Sequence, residues 1–302
     1  MQQAPKLKRA FVVCLFAITL ASAAFAERIK ILTFNILGRQ YGHTETNEEW
    51  IGSISSIIKD SEASIVLLQE VGKEAVLERL LEKLGERNWE YCYSPKTASC
   101  PINLTNAVLY DHNKVLTSRG DVFHSDFSSQ YPFEKGNTQV IAFSPVNERR
   151  LSFLLVNVHL SFNNKREEDF KSLETLYAQQ KWLYDTVIIG GDFNKPWREL
   201  KASNLADAVI DGPNWKFDNS PLWTTLGKNG KKAKGISLAN DYDHFVIKEG
   251  LVRLVEGSKH PFAGRSNKTF KSIAAGEATY TDNNSYHKGV SDHLPVVITV
   301  EF

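Results

Sequence analysis

The sequence predicts a single α/β domain, and three observations carry the expectation. Short runs rich in Val, Ile and Leu recur along the chain with the character of buried strands. Segments with apolar residues at helical spacing lie between several of them. Five of the runs end in a lone carboxylate, amide or imidazole, which is the form a site takes on the rim of a sheet. No repeat, low-complexity tract or linker divides the chain.

Taken in order, Ile29 to Asn35 reads as a buried strand. Glu48 to Asp60 places Trp50, Ile51, Ile54, Ile57 and Ile58 on one helical face. Ser64 to Gln69 is a second buried strand, ending at Glu70. Glu74 to Leu84 is an amphipathic helix with Leu77, Leu80, Leu81 and Leu84 together. Ala107 to Tyr110, Val115 to Leu116, Gln139 to Phe143 and Leu151 to His159 follow as strands. Arg166 to Tyr184 reads as a long helix and Thr186 to Gly190 as a strand. Beyond Asn194 the pattern breaks into loops rich in Pro, Gly, Asn and Trp until a short strand, His244 to Ile247. A last strand runs from Leu294 to Phe302. Strands interrupted by two or three helices suit sheets covered by helices.

The five strand ends are Leu32-Thr33-Phe34-Asn35, Leu68-Gln69-Glu70-Val71, Asn157-Val158-His159-Leu160, Gly190-Gly191-Asp192-Phe193-Asn194 and Ser291-Asp292-His293-Leu294-Pro295. Brought together they make one pocket rich in Asp, Glu, Asn and His, which suits a hard cation and a phosphate group. Glu70 follows Ile-Val-Leu-Leu-Gln, and a carboxylate there is costly to bury unless it is paired or ligates a cation. Asp192 and Asn194, two residues apart, share one face of an extended chain, with a plain Asx turn as the alternative. Gly190 and Gly191 allow close backbone approach.

In this order the five segments resemble the endonuclease/exonuclease/phosphatase superfamily, metal-dependent phosphoesterases that include deoxyribonuclease I-like secreted nucleases and neutral sphingomyelinases. The resemblance runs from Arg28 to Phe302. It implies a four-layer α/β sandwich, two packed mixed β-sheets flanked by helices. It implies a metal site at Glu70 with Asn35 and Asp292 beside it, and a catalytic set of His159, Asp192, Asn194, Asp243 and His293. In that set Asp192 positions or deprotonates the attacking water, and Asn194 donates to a phosphoryl oxygen. His159 and His293 face the scissile phosphate, and Asp243 orients His293, with Asp241 as its rival. The implied cofactor is Mg²⁺, with Mn²⁺ a substitute. His43, His112, His124, His244, His260 and His287 match nothing in the pattern and read as surface or loop residues.

The first residues read as a leader rather than as fold. Lys6, Lys8 and Arg9 precede an apolar stretch from Ala10 to Leu20, and Ala24-Phe25-Ala26 follows. This is the pattern of a cleaved secretory signal over 1–26, and it predicts a secreted or periplasmic protein; a retained anchor is the alternative. The catalytic domain is then 27–302, long enough for one well-buried core. Loss of the leader removes three positive and no negative charges, taking the net charge from +1 to −2. Export also favours a disulfide between Cys92 and Cys100. Sequons stand at Asn103, Asn267 and Asn283.

Chemistry is better specified than substrate. Tyr177-Ala-Gln-Gln-Lys181-Trp182 and Tyr242-Asp243 resemble the deoxyribonuclease I branch. Ile102 and Leu104 stand where that branch has a Tyr and a catalytic Glu, and Gly72 stands where it has a minor-groove Arg. Residues 195–271 hold 14 Lys+Arg against 8 Asp+Glu, with Lys228, Lys231, Lys232 and Lys234 clustered, either as a solvated loop or as a phosphate-binding rim. Trp197, Trp215 and Trp223 follow the Asp192-Phe193-Asn194 segment and are candidates to stack on bases. A monomeric nuclease acting on nucleic acid is the first reading. A phosphodiesterase for membrane-lipid head groups is the second, with Phe123 to Phe133 as its contact segment, alongside a phosphatase for inositol or sugar phosphates. A non-catalytic binding protein is the third.

Overall fold

The computed structural model describes residues 27–38, 43–85, 87–93, 105–123, 137–162, 166–205, 209–210, 225–226, 238–240, 242–248, 250, 252–259, 270–271, 279–280, 291 and 293–302. The leader 1–26, Cys100, the three sequons, Asp241, Asp292, Trp215, Trp223 and the cluster Lys228, Lys231, Lys232 and Lys234 lie outside these residues.

The elements are β1 (Arg28–Asn35), α1 (Glu48–Ser61), β2 (Ile65–Gln69), α2 (Glu74–Leu84), β3 (Trp89–Tyr93), β4 (Ala107–Asp111), β5 (Val115–Phe123), β6 (Asn137–Pro145), β7 (Phe153–His159), α3 (Arg166–Gln180), β8 (Thr186–Asp192), α4 (Trp197–Lys201), β9 (Val209–Ile210), β10 (Thr225–Leu226), β11 (Leu238–Asn240), β12 (Asp243–Lys248), β13 (Arg253–Lys259), β14 (Phe270–Lys271), β15 (Thr279–Tyr280) and β16 (Val296–Glu301). Two six-stranded sheets have the orders β13-β16-β1-β2-β4-β3 and β5-β6-β7-β8-β12-β9, and β10-β11 and β14-β15 form small ribbons. Both large sheets are mixed. Strand β1 runs parallel to β2, and β7 parallel to β8, while β16 and β12 pair antiparallel with their neighbours.

Side-chain alternation builds the layers. In β1, Ile29 and Ile31 enter the core between the sheets, with Leu67 of β2, Leu155 of β7, Ile188 of β8 and Phe245 of β12. Leu32 and Phe34 point the other way, under Trp50, Ile54 and Ile58 of α1 and Leu77 and Leu80 of α2. On the second sheet, Val156, Val187 and Ile189 pack under Phe170, Leu173, Leu176 and Tyr177 of α3. The result is the expected sandwich of helices, sheet, sheet and helices. Helix α1 begins at Asn47, whose side chain accepts the Trp50 N–H at 3.0 Å, a cap that stabilises by about 1 kcal/mol.

Along the seam between the sheets, apolar residues give way to polar ones toward one end. Gln69 Nε2 donates to Asn157 Oδ1 across the seam at 2.7 Å. Asn157 Nδ2 donates back to the Leu68 and Ala107 carbonyls at 3.1 and 3.0 Å, and Asn106 Nδ2 donates to the Asn157 carbonyl at 3.1 Å. All three side chains are buried. They clasp one sheet to the other directly beneath the strand ends that carry Asn35, Glu70, His159 and Asp192.

Several elements differ from the sequence expectation. Helix α3 stops at Gln180 and the chain turns over 181–183. Strands β3 and β13 form where the sequence pattern marked no element, because tertiary pairing with β4 and β16 overrides weak local patterns. His43 and His244 are buried rather than surface residues. His43 stacks on Trp50 with ring centroids 5.0 Å apart, and His244 Nε2 lies 3.0 Å from the Lys195 carbonyl.

Candidate functional site

Parallel pairing sets the ends of neighbouring strands level. Asn35 is level with Gln69 in one sheet, and His159 with Asp192 in the other. Asp243 is paired with Asp192 on its far side. Five chemically active residues therefore reach one end of the seam from both sheets.

Backbone strain finishes the arrangement. Glu70 follows the last residue of β2 with φ 56°, and Asn194 follows β8 with φ 49°. The left-handed region costs a residue other than glycine roughly 1 kcal/mol or more. At Glu70 it turns the carboxylate from the strand direction into the pocket. At Asn194 it directs the side-chain amide onto the Leu160 carbonyl at 2.7 Å, while the Asn194 N–H donates to Asp192 Oδ1 at 2.8 Å. Asp192 and Asn194 thus form a closed turn rather than two successive teeth of a strand. Gly191 has φ 145°, and a Cβ there would lie 2.0 Å from the Val158 carbonyl oxygen, so no other residue fits without a shift.

Three nitrogen atoms surround one oxygen of Asp192. Asn35 Nδ2 donates to Asp192 Oδ2 at 3.2 Å and to Glu70 Oε1 at 3.1 Å. His159 Nε2 lies 3.8 Å from Asp192 Oδ2 and 3.7 Å from Glu70 Oε1, and His293 Nε2 lies 3.6 Å from Asp192 Oδ2. The imidazole separations exceed hydrogen-bond length. His293 is held from behind by Asp243, whose Oδ2 is 2.8 Å from Nδ1, so its Nε2 is turned toward Asp192. Ser291 ties the His293 loop to β1, donating to the Asn35 carbonyl at 2.6 Å and accepting the His293 N–H at 3.1 Å. Burial pushes the Asp192 carboxyl up to about 6. The neighbouring His293 and His159 pull it down, and Asp243 pushes it further up. A carboxylate of this kind exchanges protons near neutral pH.

The donor set fits a cation in two ways. Among the described residues Glu70 Oε2 is buried and has no hydrogen-bond partner, which leaves a carboxylate oxygen desolvated at substantial cost unless a cation meets it. Ligand atoms of Asp192, Asp243 and His293 also lie within 4.8 Å of one another. The second group is less suited, because Asp243 and His293 already bond each other and a cation between them would break that contact. Glu70 is therefore the better anchor. Asn35 turns its amide nitrogen to the carboxylates, and its Oδ1 accepts the Leu37 N–H at 3.1 Å.

The pocket thus gathers Asn35, Glu70, His159, Asp192, Asn194, Asp243 and His293. The sequence assigned no role to Asn106 or to Ser291 of the last quoted segment, nor did it mark Gln69 and Asn157 as a cross-sheet pair; each pairs with groups far away in the sequence. Gly72 has φ 81°, a conformation that disfavours arginine at that position. Cys92 is buried in the inter-sheet core, and burial pushes its thiol up to about 11.

Comparison with known proteins gives the family. The model of the endonuclease/exonuclease/phosphatase family matches residues 32–293, and the chain belongs to that family. It is 25% identical over 288 residues to deoxyribonuclease-1 of Bos taurus, spanning 90% of this chain and 92% of that protein. The Rattus norvegicus deoxyribonuclease-1 is 24% identical over 289 residues, with 91% and 92% covered. Similar folds include an endonuclease/exonuclease/phosphatase family protein from Bacteroides thetaiotaomicron, with TM-score 0.64, 15% identity and 92% and 99% of the two chains covered. TDP2 of D. rerio complexed with single strand DNA product has TM-score 0.62, 13% identity and 91% and 99% covered.

Proposed function

For this member of a family of hydrolytic phosphoesterases, we propose an exported, divalent-metal-dependent phosphodiesterase whose substrate is DNA. The observation that carries the reading is the ring of Asn35, His159 and His293 around Asp192 Oδ2, with a Glu70 oxygen beside it that has no partner among the described residues. The DNA assignment is supported by the likeness to deoxyribonuclease-1 and by the basic excess over 195–271.

Mg²⁺, or Mn²⁺ in its place, suits the oxygen-rich donors at Glu70. When bound it supplies Lewis-acid polarisation of a phosphoryl oxygen. The chain's own residues do the rest. Asp192, anionic above about pH 6, aligns the attacking water or takes its proton. As the new P–O bond forms, charge builds on the phosphoryl oxygens. His159 and His293 face that charge, with the second Asn194 amide hydrogen as a further donor. Asp243 holds the His293 tautomer and the orientation of its Nε2. The P–O bond to the leaving group then breaks, and the departing alkoxide takes up a proton from solvent water.

The test is an assay of the mature chain on plasmid DNA, sphingomyelin vesicles and an inositol phosphate. Cleavage of plasmid alone is expected. Hydrolysis of sphingomyelin with plasmid left intact overturns the DNA assignment.

A further inference from the structure

Phe162 is 72% exposed, although it follows the buried Leu160 and Ser161 only three residues beyond His159. Its backbone is not loose. The Ser161 N–H and hydroxyl both donate to Asp169 Oδ2, a fully buried carboxylate on α3. Leu160 is fixed on both sides, its N–H donating to the Asp192 carbonyl at 2.9 Å and its carbonyl accepting from Asn194. The Phe162 ring meets the Tyr242 ring edge-on, with centroids 6.3 Å apart. Tyr242 directly precedes Asp243, and its carbonyl accepts the Phe193 N–H at 2.9 Å. Tyr242 itself, and Leu160 two residues before Phe162, are thus tied by main-chain bonds to the segment 192–194, which carries Asp192.

Solvated phenylalanine is not rare. Here the ring stands exposed beside a second aromatic, three residues after His159 and next to the anchored Leu160 and Ser161. Packing of the core does not require it there. An aromatic face in that position matches a planar group one bond sequence away from the scissile phosphate. On the DNA-cleaving reading proposed above, that group is a nucleobase.

We propose that Phe162, buttressed by Tyr242, forms a base-stacking subsite that receives an unstacked nucleobase next to the scissile phosphate, and so favours single-stranded or frayed DNA. The subsite rests on the proposed DNA substrate and adds a reason for substrate preference. It binds by stacking and van der Waals contact, without reading sequence, because every base offers a π-face.

The experiment measures kcat and KM on two single-stranded oligonucleotides, one intact and one carrying an abasic residue beside the cleaved linkage. Wild type, Phe162→Ala and Phe162→Tyr are compared. The wild-type enzyme is expected to bind the intact strand roughly ten-fold better in KM, as the loss of one base–aromatic stack implies. In Phe162→Ala the two substrates should converge, and Phe162→Tyr should restore the difference. A wild type that cuts DNA with no base dependence, or a Phe162→Ala enzyme that keeps it, overturns the subsite and leaves the DNA assignment standing. A wild type that cuts neither oligonucleotide but hydrolyses lipid overturns both.

Discussion

Asp192 is the residue on which charge and position converge. It is buried, with two imidazoles and an amide around one oxygen and the Asn194 N–H on the other. Asp192→Asn keeps the shape and removes the base, so kcat should fall by at least ~10²-fold with a smaller change in KM. The same variant has a signature in the metal-free protein. The carboxyl titrates near its ordinary 3.8 when unfolded and about 6 when folded. Between those values the folded chain binds the extra proton, so the group's contribution to stability falls as pH rises. The thermal midpoint of Asp192→Asn in EDTA should therefore gain on wild type from pH 4 to pH 6.5 and hold level above. A difference that shrinks over that range contradicts the burial account. The αL backbone at Glu70 and Asn194 shows why this level was only partly legible. The sequence placed both residues at strand ends, but an extended chain would have aimed them elsewhere.

At the level of elements, the cross-sheet clasp keeps two strand ends of one sheet opposite two of the other. Asn157 satisfies Gln69 and two main-chain carbonyls at once. Asn157→Leu removes these buried bonds, leaving Gln69 Nε2 only Thr33 Oγ1 and the Leu67 carbonyl, and should destabilise the fold by about 2 kcal/mol. Urea unfolding would measure that loss, and kcat should fall because Asn35 and Glu70 come from one sheet and His159, Asp192 and Asp243 from the other. Full stability in the variant would show that the clasp is dispensable. Gly191→Ala should behave similarly, through the collision with the Val158 carbonyl. Of the elements, β1, β2, β7, β8 and both large amphipathic helices were legible, because their apolar period is strong. Strand β3, with only Cys92 of its residues buried, was not. Nor was β13, whose register shifts against β16 break the alternation. The clasp joins residues 88 positions apart, a distance no local pattern spans.

At the scale of the whole molecule, four layers bring five separated strand ends to one rim, and the order of those ends along the chain carried the family reading. The lysine cluster gives the molecule-wide test of substrate charge. Neutralising Lys228, Lys231, Lys232 and Lys234 together should raise KM for DNA and flatten its salt dependence by up to a few phosphate contacts. Unaltered cleavage at every salt concentration would mark the cluster as a solvated loop. The central claim is that Glu70 anchors a divalent cation required for phosphodiester hydrolysis. It is tested most directly by plasmid cleavage with purified wild type and Glu70→Gln, first in excess EDTA and then with Mg²⁺ restored. Wild type should be inactive in EDTA and recover fully with Mg²⁺, whereas Glu70→Gln should stay at least ~10²-fold slower at any Mg²⁺ concentration. Undiminished cleavage by wild type in excess chelator, or by Glu70→Gln with Mg²⁺, would contradict it.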